Sequence, residues 1–343
     1  MQLKKSTLTA LLAITTLTLA APRASASDGY YAGKTVTILV GTDESGGYSL
    51  YSRLIASYLG RYLPGSPAVI VRNMPGAGGS TAAAYMTRQA PRDGTIIATI
   101  PANAMMDRLF GRKVQADPTQ FGFIGGAERG SRLCLTSARS EVKTLQEAMT
   151  RKAIIGTTAQ GSPTTDYANS LKRSTGVKFD IVYGYSGPGS LYYAMERGEI
   201  DGVCGVDWTA LKAQKPNWVR DKTVNILVQF NENPNEELQA LGVPQPWPLI
   251  KDDLDRQAVL MMVNFQQAFG KAYIAPPQTP EEHLTLLRTG FAEVLQDKQF
   301  LADAEKQQLE IYSVKADEVQ ETVLKLYRAP QAVVDRLKTL TGE

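Results

Sequence analysis

A chain of 343 residues, 43% hydrophobic and 21% charged, carries apolar side chains enough for about two domain cores. Its formal charge of +3 falls to 0 once Lys4, Lys5 and Arg23 are set aside, and no basic run with interleaved aromatics follows, which excludes a nucleic acid partner. One histidine and two cysteines leave no ligand set for a zinc centre, and no cofactor is expected.

Residues 1–26 have the layout of a signal peptide: Lys4 and Lys5, an apolar stretch over 8–21, then Ala24-Ser25-Ala26. Export to the periplasm is expected, with cleavage near Ala26. The stretch falls short of the roughly 20 apolar residues a membrane span needs, and no cysteine follows the cut to carry a lipid anchor. Cys134 and Cys204 each lie in a strand-like run; a disulfide suits an oxidising compartment, and two buried thiols suit the sequence equally well.

Downstream, strands are predicted over 35–40, 68–72 and 95–100, with helices over 50–63 and 80–89 between them. That rhythm denotes βαβ units and a largely parallel sheet. Leu50, Leu54, Tyr58 and Tyr62 share a helical face with Tyr51, Ile55 and Leu59, and Pro64-Gly65 ends the helix. A second series places strands over 121–126, 132–137, 153–158, 179–183, 200–205 and 225–230, after which helices predominate and 271–275 is the one remaining strand. The chain is thus expected to build one lobe from 27–126 plus 226–343 and another from 127–225, joined by a hinge of two crossings. Thr144 with Glu147, and Thr279 with Glu282, have the spacing of capping boxes, and His283 is expected on a solvated face.

Two glycine-bearing turns sit where a strand feeds a helix: Gly41 to Ser49 after the first strand, and Ala159 to Thr165 a little over a hundred residues later. Such turns leave unpaired N–H groups at a helix start, where the dipole also favours an anion. The candidate ligand contacts are therefore Ser45, Gly46, Gly47, Tyr48 and Ser49 from the first turn, and Gln160, Gly161, Ser162, Thr164 and Thr165 from the second. Taken singly, each turn reads equally as an ordinary connection with a capped helix. Gly78, in Pro75-Gly76-Ala77-Gly78-Gly79, is placed either near the ligand or in backbone packing. Asn103 follows a strand at its carboxyl end, where open α/β sheets place ligands. Tyr185 is chosen from an aromatic cluster able to stack on a flat acid, and Trp208 follows another strand end; both fit packing as well.

Several pieces together resemble the substrate-binding proteins of tripartite tricarboxylate transporters, the Bug family. They are Val36 to Val40 with Gly46-Gly47 and Arg53, then Asn73-Met74-Pro75-Gly76-Ala77-Gly78-Gly79, the Gly156 to Ser162 and Tyr183 to Gly189 stretches, and Gly198-Glu199-Ile200-Asp201. The resemblance implies an α/β fold of the type II periplasmic-binding-protein (Venus-flytrap) kind, two βα lobes joined by a two-crossing hinge. It implies a monomeric receptor that captures a dicarboxylate, tricarboxylate or aromatic acid and delivers it to a large and a small integral membrane subunit. Where the family's first turn usually carries an acid, this chain has Ser49, which caps a helix and tolerates a second anion, so amino acid ligands are disfavoured. Asp43 and Glu44 precede the glycines and, because they would repel an anion, are expected to face solvent.

Two other functions fit parts of the chain. A periplasmic sensing domain would use the same fold. An exported serine hydrolase would use Ser45 in Asp43-Glu44-Ser45-Gly46-Gly47, but such chemistry calls for a base beside the serine, and His283 lies far along the chain. The reading adopted is a binding protein, not an enzyme.

Overall fold

The structure, a computed structural model, describes residues 29–111 and 116–342; the leader expected over 1–26 lies outside the described residues. Strands form where β-branched and aliphatic residues alternate or run together. Numbered in chain order, they are β1 (Thr35–Val40), β2 (Ala68–Asn73), β3 (Ile96–Thr99), β4 (Gly122–Gly126), β5 (Arg132–Ser137), β6 (Ala153–Gly156), β7 (Phe179–Val182), β8 (Gly202–Asp207), β9 (Val224–Phe230), β10 (Ala272–Ala275) and β11 (Val314–Lys315). Two residues are too few to show a period, and β11 escapes the sequence reading for that reason.

The strands divide between two sheets, in the orders β11-β4-β10-β3-β1-β2 and β7-β6-β8-β5-β9. Both are mixed, where the βαβ rhythm predicts largely parallel pairing. β1 runs parallel to β2 and β3, and β6 to β7 and β8. β10 is antiparallel to β3 and β4, as β5 is to β8 and β9. A parallel neighbour needs a crossover that returns to the start of the same sheet. The chain instead leaves the first sheet after β4, enters the second through β5, leaves it after β9 and returns to the first at β10, so these strands meet their neighbours head to tail. The two crossing segments are tied to each other where Asn231 Nδ2 donates to Ser131 Oγ at 3.0 Å.

Five helices position the site: α1 (Gly47–Leu59), α2 (Ser80–Arg88), α3 (Pro163–Thr175), α4 (Pro188–Arg197) and α5 (Trp208–Gln214). α1 buries Tyr51, Leu54, Ile55 and Tyr58 against the first sheet, the stripe its spacing predicts. It starts at Gly47, three residues earlier than expected, because Gly46 takes the extended N-cap conformation. α3 opens on Ser162 as N-cap with Pro163 at its first position, and stops at Gly176, whose φ of 82° suits a residue without Cβ. The last helix, Gln331–Thr341, packs on α3, with Thr341 and Thr339 carbonyls accepting from Asn169 at 2.9 Å and Arg173 at 2.8 Å.

Cys134 and Cys204 face each other across β5 and β8 and are joined by a disulfide in the dry core. The bond closes a loop of 70 residues, which restricts the unfolded chain. Replacing both by alanine is expected to cost about 2–5 kcal/mol, read as a lower denaturant midpoint; an unchanged midpoint would refute a stabilising role.

One capping box forms and one does not. Thr144 Oγ1 accepts from the Glu147 N–H at 3.1 Å while Glu147 Oε2 accepts from the Thr144 N–H at 3.2 Å. Thr279 instead donates to the Pro276 carbonyl at 2.8 Å, leaving Pro280 as N-cap of the helix Glu281–Val294. His283, expected in solvent, is buried in that helix's first turn, because the segment from Gly29 folds over it and Tyr30 stacks on the ring at 4.1 Å.

Candidate functional site

A cavity of about 300 Å³ lies between the two sheets and receives residues from both turns: Gly46, Gly47 and Tyr48 from the first, Ser162 and Thr164 from the second. The volume suits a small organic molecule. Gly78 and Tyr185 also line it. The walls touch beyond the cavity: Gly78 has φ 63°, and a Cβ there would sit 2.9 Å from the Gly161 carbonyl oxygen across the cleft.

The first turn offers main-chain donors. Ser49 and Leu50 both return their N–H groups to the Gly46 carbonyl, whereas the amides of Gly47 and Tyr48 have no partner among the described residues. The helix start after the second turn offers fewer. Ser162 spends its N–H on Ala159, Pro163 has none, and Thr165 and Asp166 bond back to Ser162, which leaves the Thr164 amide. The hydroxyls of Thr158, Ser162 and Thr164 bond to one another within 2.7–3.0 Å and form a polar strip on this wall.

Six of the expected contacts are placed elsewhere. Ser45 is exposed, its hydroxyl donating to Asp43 Oδ1 at 2.8 Å. Ser49 is buried below the turn, giving its proton to the Asp43 carbonyl and accepting from Asn73, so it caps nothing. Gln160 points away, held by the Gly342 carbonyl at 3.1 Å. Gly161 packs against Gly78, outside the cavity lining. Thr165 turns inward to the Ala159 carbonyl at 2.9 Å. Trp208 is 1% exposed in the core beneath α5, with Nε1 donating to Glu237, because the strand end it follows aims the indole away from the cleft. Asn103 lies in the 3-10 turn 102–106, and its side chain lies outside what the structure describes, while its neighbour Pro101 lines the cavity. Asp43, expected in solvent beside the exposed Glu44, lines the cavity instead.

The sequence reading misses the charged floor of the site. Arg132 opens β5, Asp207 ends β8, Lys271 precedes β10, and Glu128 lies in the first crossing. Lys271 Nζ donates to Glu128 Oε2 at 2.7 Å and Asp207 Oδ2 at 2.9 Å, and Arg132 Nη1 lies 3.5 Å from the same Asp207 oxygen; no side chain of the four is more than 6% exposed. The Lys271 ammonium also lies over the Tyr48 and Tyr51 rings, 4.9 and 5.2 Å from their centroids. Each residue in isolation reads as a solvated strand end, so no local signal marks the group.

Burial pushes the Glu128 carboxyl up, the neighbouring Asp207 charge adds to the shift, and Lys271 opposes it. Burial acts on Asp207 as well, but Lys271 and Arg132 outweigh it and hold that carboxyl below its usual range. Against burial, Asp207 and Glu128 hold the Lys271 ammonium charged, and Asp207 above all does so for Arg132. Arg132 and Asp207 line the cavity. Arg132 Nη2, like the Tyr48 hydroxyl, is buried without a hydrogen-bond partner among the described residues. A guanidinium nitrogen in that state favours an incoming anion, since leaving it unmet costs its desolvation.

Two α/β units on either side of one cavity give the chain the two-lobe Venus-flytrap fold. Solved structures agree in fold. A TctC solute-binding protein from Polaromonas superposes with a TM-score of 0.59 at 16% identity, covering 88% of this chain and 98% of its own. MatC from Rhodopseudomonas palustris with bound malate gives 0.66 at 17%, covering 90% and 98%, and an R. palustris protein with adipate gives 0.67 at 20%, covering 90% and 97%. No protein-family model and no curated protein matches the chain.

Proposed function

We propose that this protein is an exported, periplasmic receptor that closes two lobes, 27–126 plus 226–343 and 127–225, around an organic carboxylate. It passes that ligand to the large and small integral subunits of a tripartite tricarboxylate-type transporter and acts as a monomer. The observation that carries the reading is the cavity in which the free Gly47 and Tyr48 amides meet an unpartnered, buried guanidinium from the other sheet. Closure removes water, and each of these contacts gains strength in the lower dielectric. The malate and adipate in the two R. palustris proteins of the same fold support a carboxylate as the ligand.

Binding makes or breaks no bond. The hydrolase alternative loses its base, since Ser45 donates to Asp43 and the ring of His283 is stacked on Tyr30. Thermal unfolding of the chain from Ser27 onward, with a panel of mono-, di-, tricarboxylic and aromatic acids, tests the proposal. A ligand at a hundred times its Kd adds about 2.7 kcal/mol, enough to raise Tm by several degrees. Flat melting across the whole panel would refute it.

A further inference from the structure

Among the described residues the cavity wall carries three charged side chains: Arg132, Asp207 and Asp43. Asp207 is already matched by Lys271 and Arg132. Asp43 is paired with no cation among the described residues; its Oδ1 accepts from the Ser45 amide at 3.1 Å and the Ser45 hydroxyl at 2.8 Å. Its other oxygen reaches across the cleft to Gly187, at the start of α4, where any side chain would collide with the carboxylate. Ser45 follows it across, and a Cβ on Gly189 would lie 3.3 Å from the Ser45 hydroxyl. Asp43 is thus fixed by Ser45 on its own wall, with its second oxygen close against Gly187 on the other.

The positive pole of the cavity lies together. Gly47 sits over Lys271, whose Nζ would be 3.6 Å from a Cβ at that position, and Lys271 joins Asp207 and, through it, Arg132. With Asp207 and Glu128 absorbing the Lys271 charge, the free guanidinium nitrogen and the Gly47 and Tyr48 amides supply counter-charge for one carboxylate. Four prolines and three tyrosines make much of the remaining wall, which offers apolar surface and no second cation.

Resting on the receptor reading above, we infer that the ligand is a monocarboxylate with an apolar or aromatic body, its one carboxylate on the first-turn amides on the Arg132 side of the cavity, and that Asp43 excludes dicarboxylates. A second carboxylate finds hydroxyls and the Thr164 amide on the far wall but no cation, and meets the like charge of Asp43, a penalty of about tenfold or more in affinity.

Titration calorimetry with matched pairs tests the inference: hexanoate against adipate, and benzoate against terephthalate. The monocarboxylate of at least one pair is expected to bind about tenfold or more tighter than its dicarboxylate. Asp43→Asn, which still accepts from Ser45, narrows that ratio chiefly by improving the dicarboxylate; Asp43→Ser serves as a second variant if the first misfolds. Adipate or terephthalate binding as tightly as the monoacid, with a ratio unmoved by either variant, overturns the inference while leaving the receptor reading intact. Failure of all four acids, with flat melting across the wider panel, overturns both.

Discussion

Replacing Lys271 by methionine is expected to destabilise the protein by about 3–5 kcal/mol, the usual cost of removing one partner from a buried ionic group. Lys271 is 1% exposed and is the shared partner of Glu128 and Asp207, which come from the first crossing and from the second sheet. Without the ammonium, two carboxylates face each other in the dry floor of the site with only Arg132, at 3.5 Å from Asp207, to compensate them. The pH dependence has a definite sign. In the unsubstituted protein Asp207 is held below its usual range, so its stabilisation is present above the unfolded carboxyl value and is lost only as pH falls through the lowered folded value. In the variant both carboxyls rise above their unfolded values, so the deficit is small below the unfolded value and grows as pH climbs through the raised folded values. Denaturant melts at about pH 5 and pH 8 check this; an equal deficit at both would refute the ionic origin.

Arg132→Gln is expected to weaken carboxylate binding by about 2–5 kcal/mol, the cost of truncating a buried charged partner. The fold survives, since Asp207 keeps Lys271 at 2.9 Å and its capping oxygen still accepts from the Ala210 amide at 2.9 Å. Arg132→Lys is expected to rescue little, because lysine keeps the charge and loses the second planar nitrogen, which is buried without a partner. Calorimetry for affinity and a melt without ligand separate the two effects. Undiminished binding by a folded Arg132→Gln protein would show that the anion rests elsewhere.

These two residues also mark where sequence reading stopped. The spacing of Tyr51, Leu54, Ile55 and Tyr58 announces a sheet-covering helix, and the run from Thr35 to Val40 announces a strand, because both signals are carried by neighbours a few residues apart. The same local logic put the two turns at the ends of β1 and β6, and the structure brings both to one cavity. It did not anticipate how many donors each turn would have left: Pro163 and the Ser162–Ala159 bond consume what a generic helix start would offer. Nor did it foresee that Gln160 would be drawn off by the last helix, which lies at the other end of the chain.

By itself the sequence determined most of the elements, their order and the two turns, since backbone periodicity and the glycine and proline positions act over a few residues. Only the tertiary structure decided which side chains face the cleft. Arg132, Asp207 and Lys271 stand far apart in the chain and become one charged floor solely because β5 and β8 pair in the second sheet while Lys271 leads into the first. Asp43 is turned inward because Gly187 on the opposite lobe leaves it room. A charge's role depends on what is packed against it, and in this protein each charge in the cavity floor meets partners many residues away in sequence.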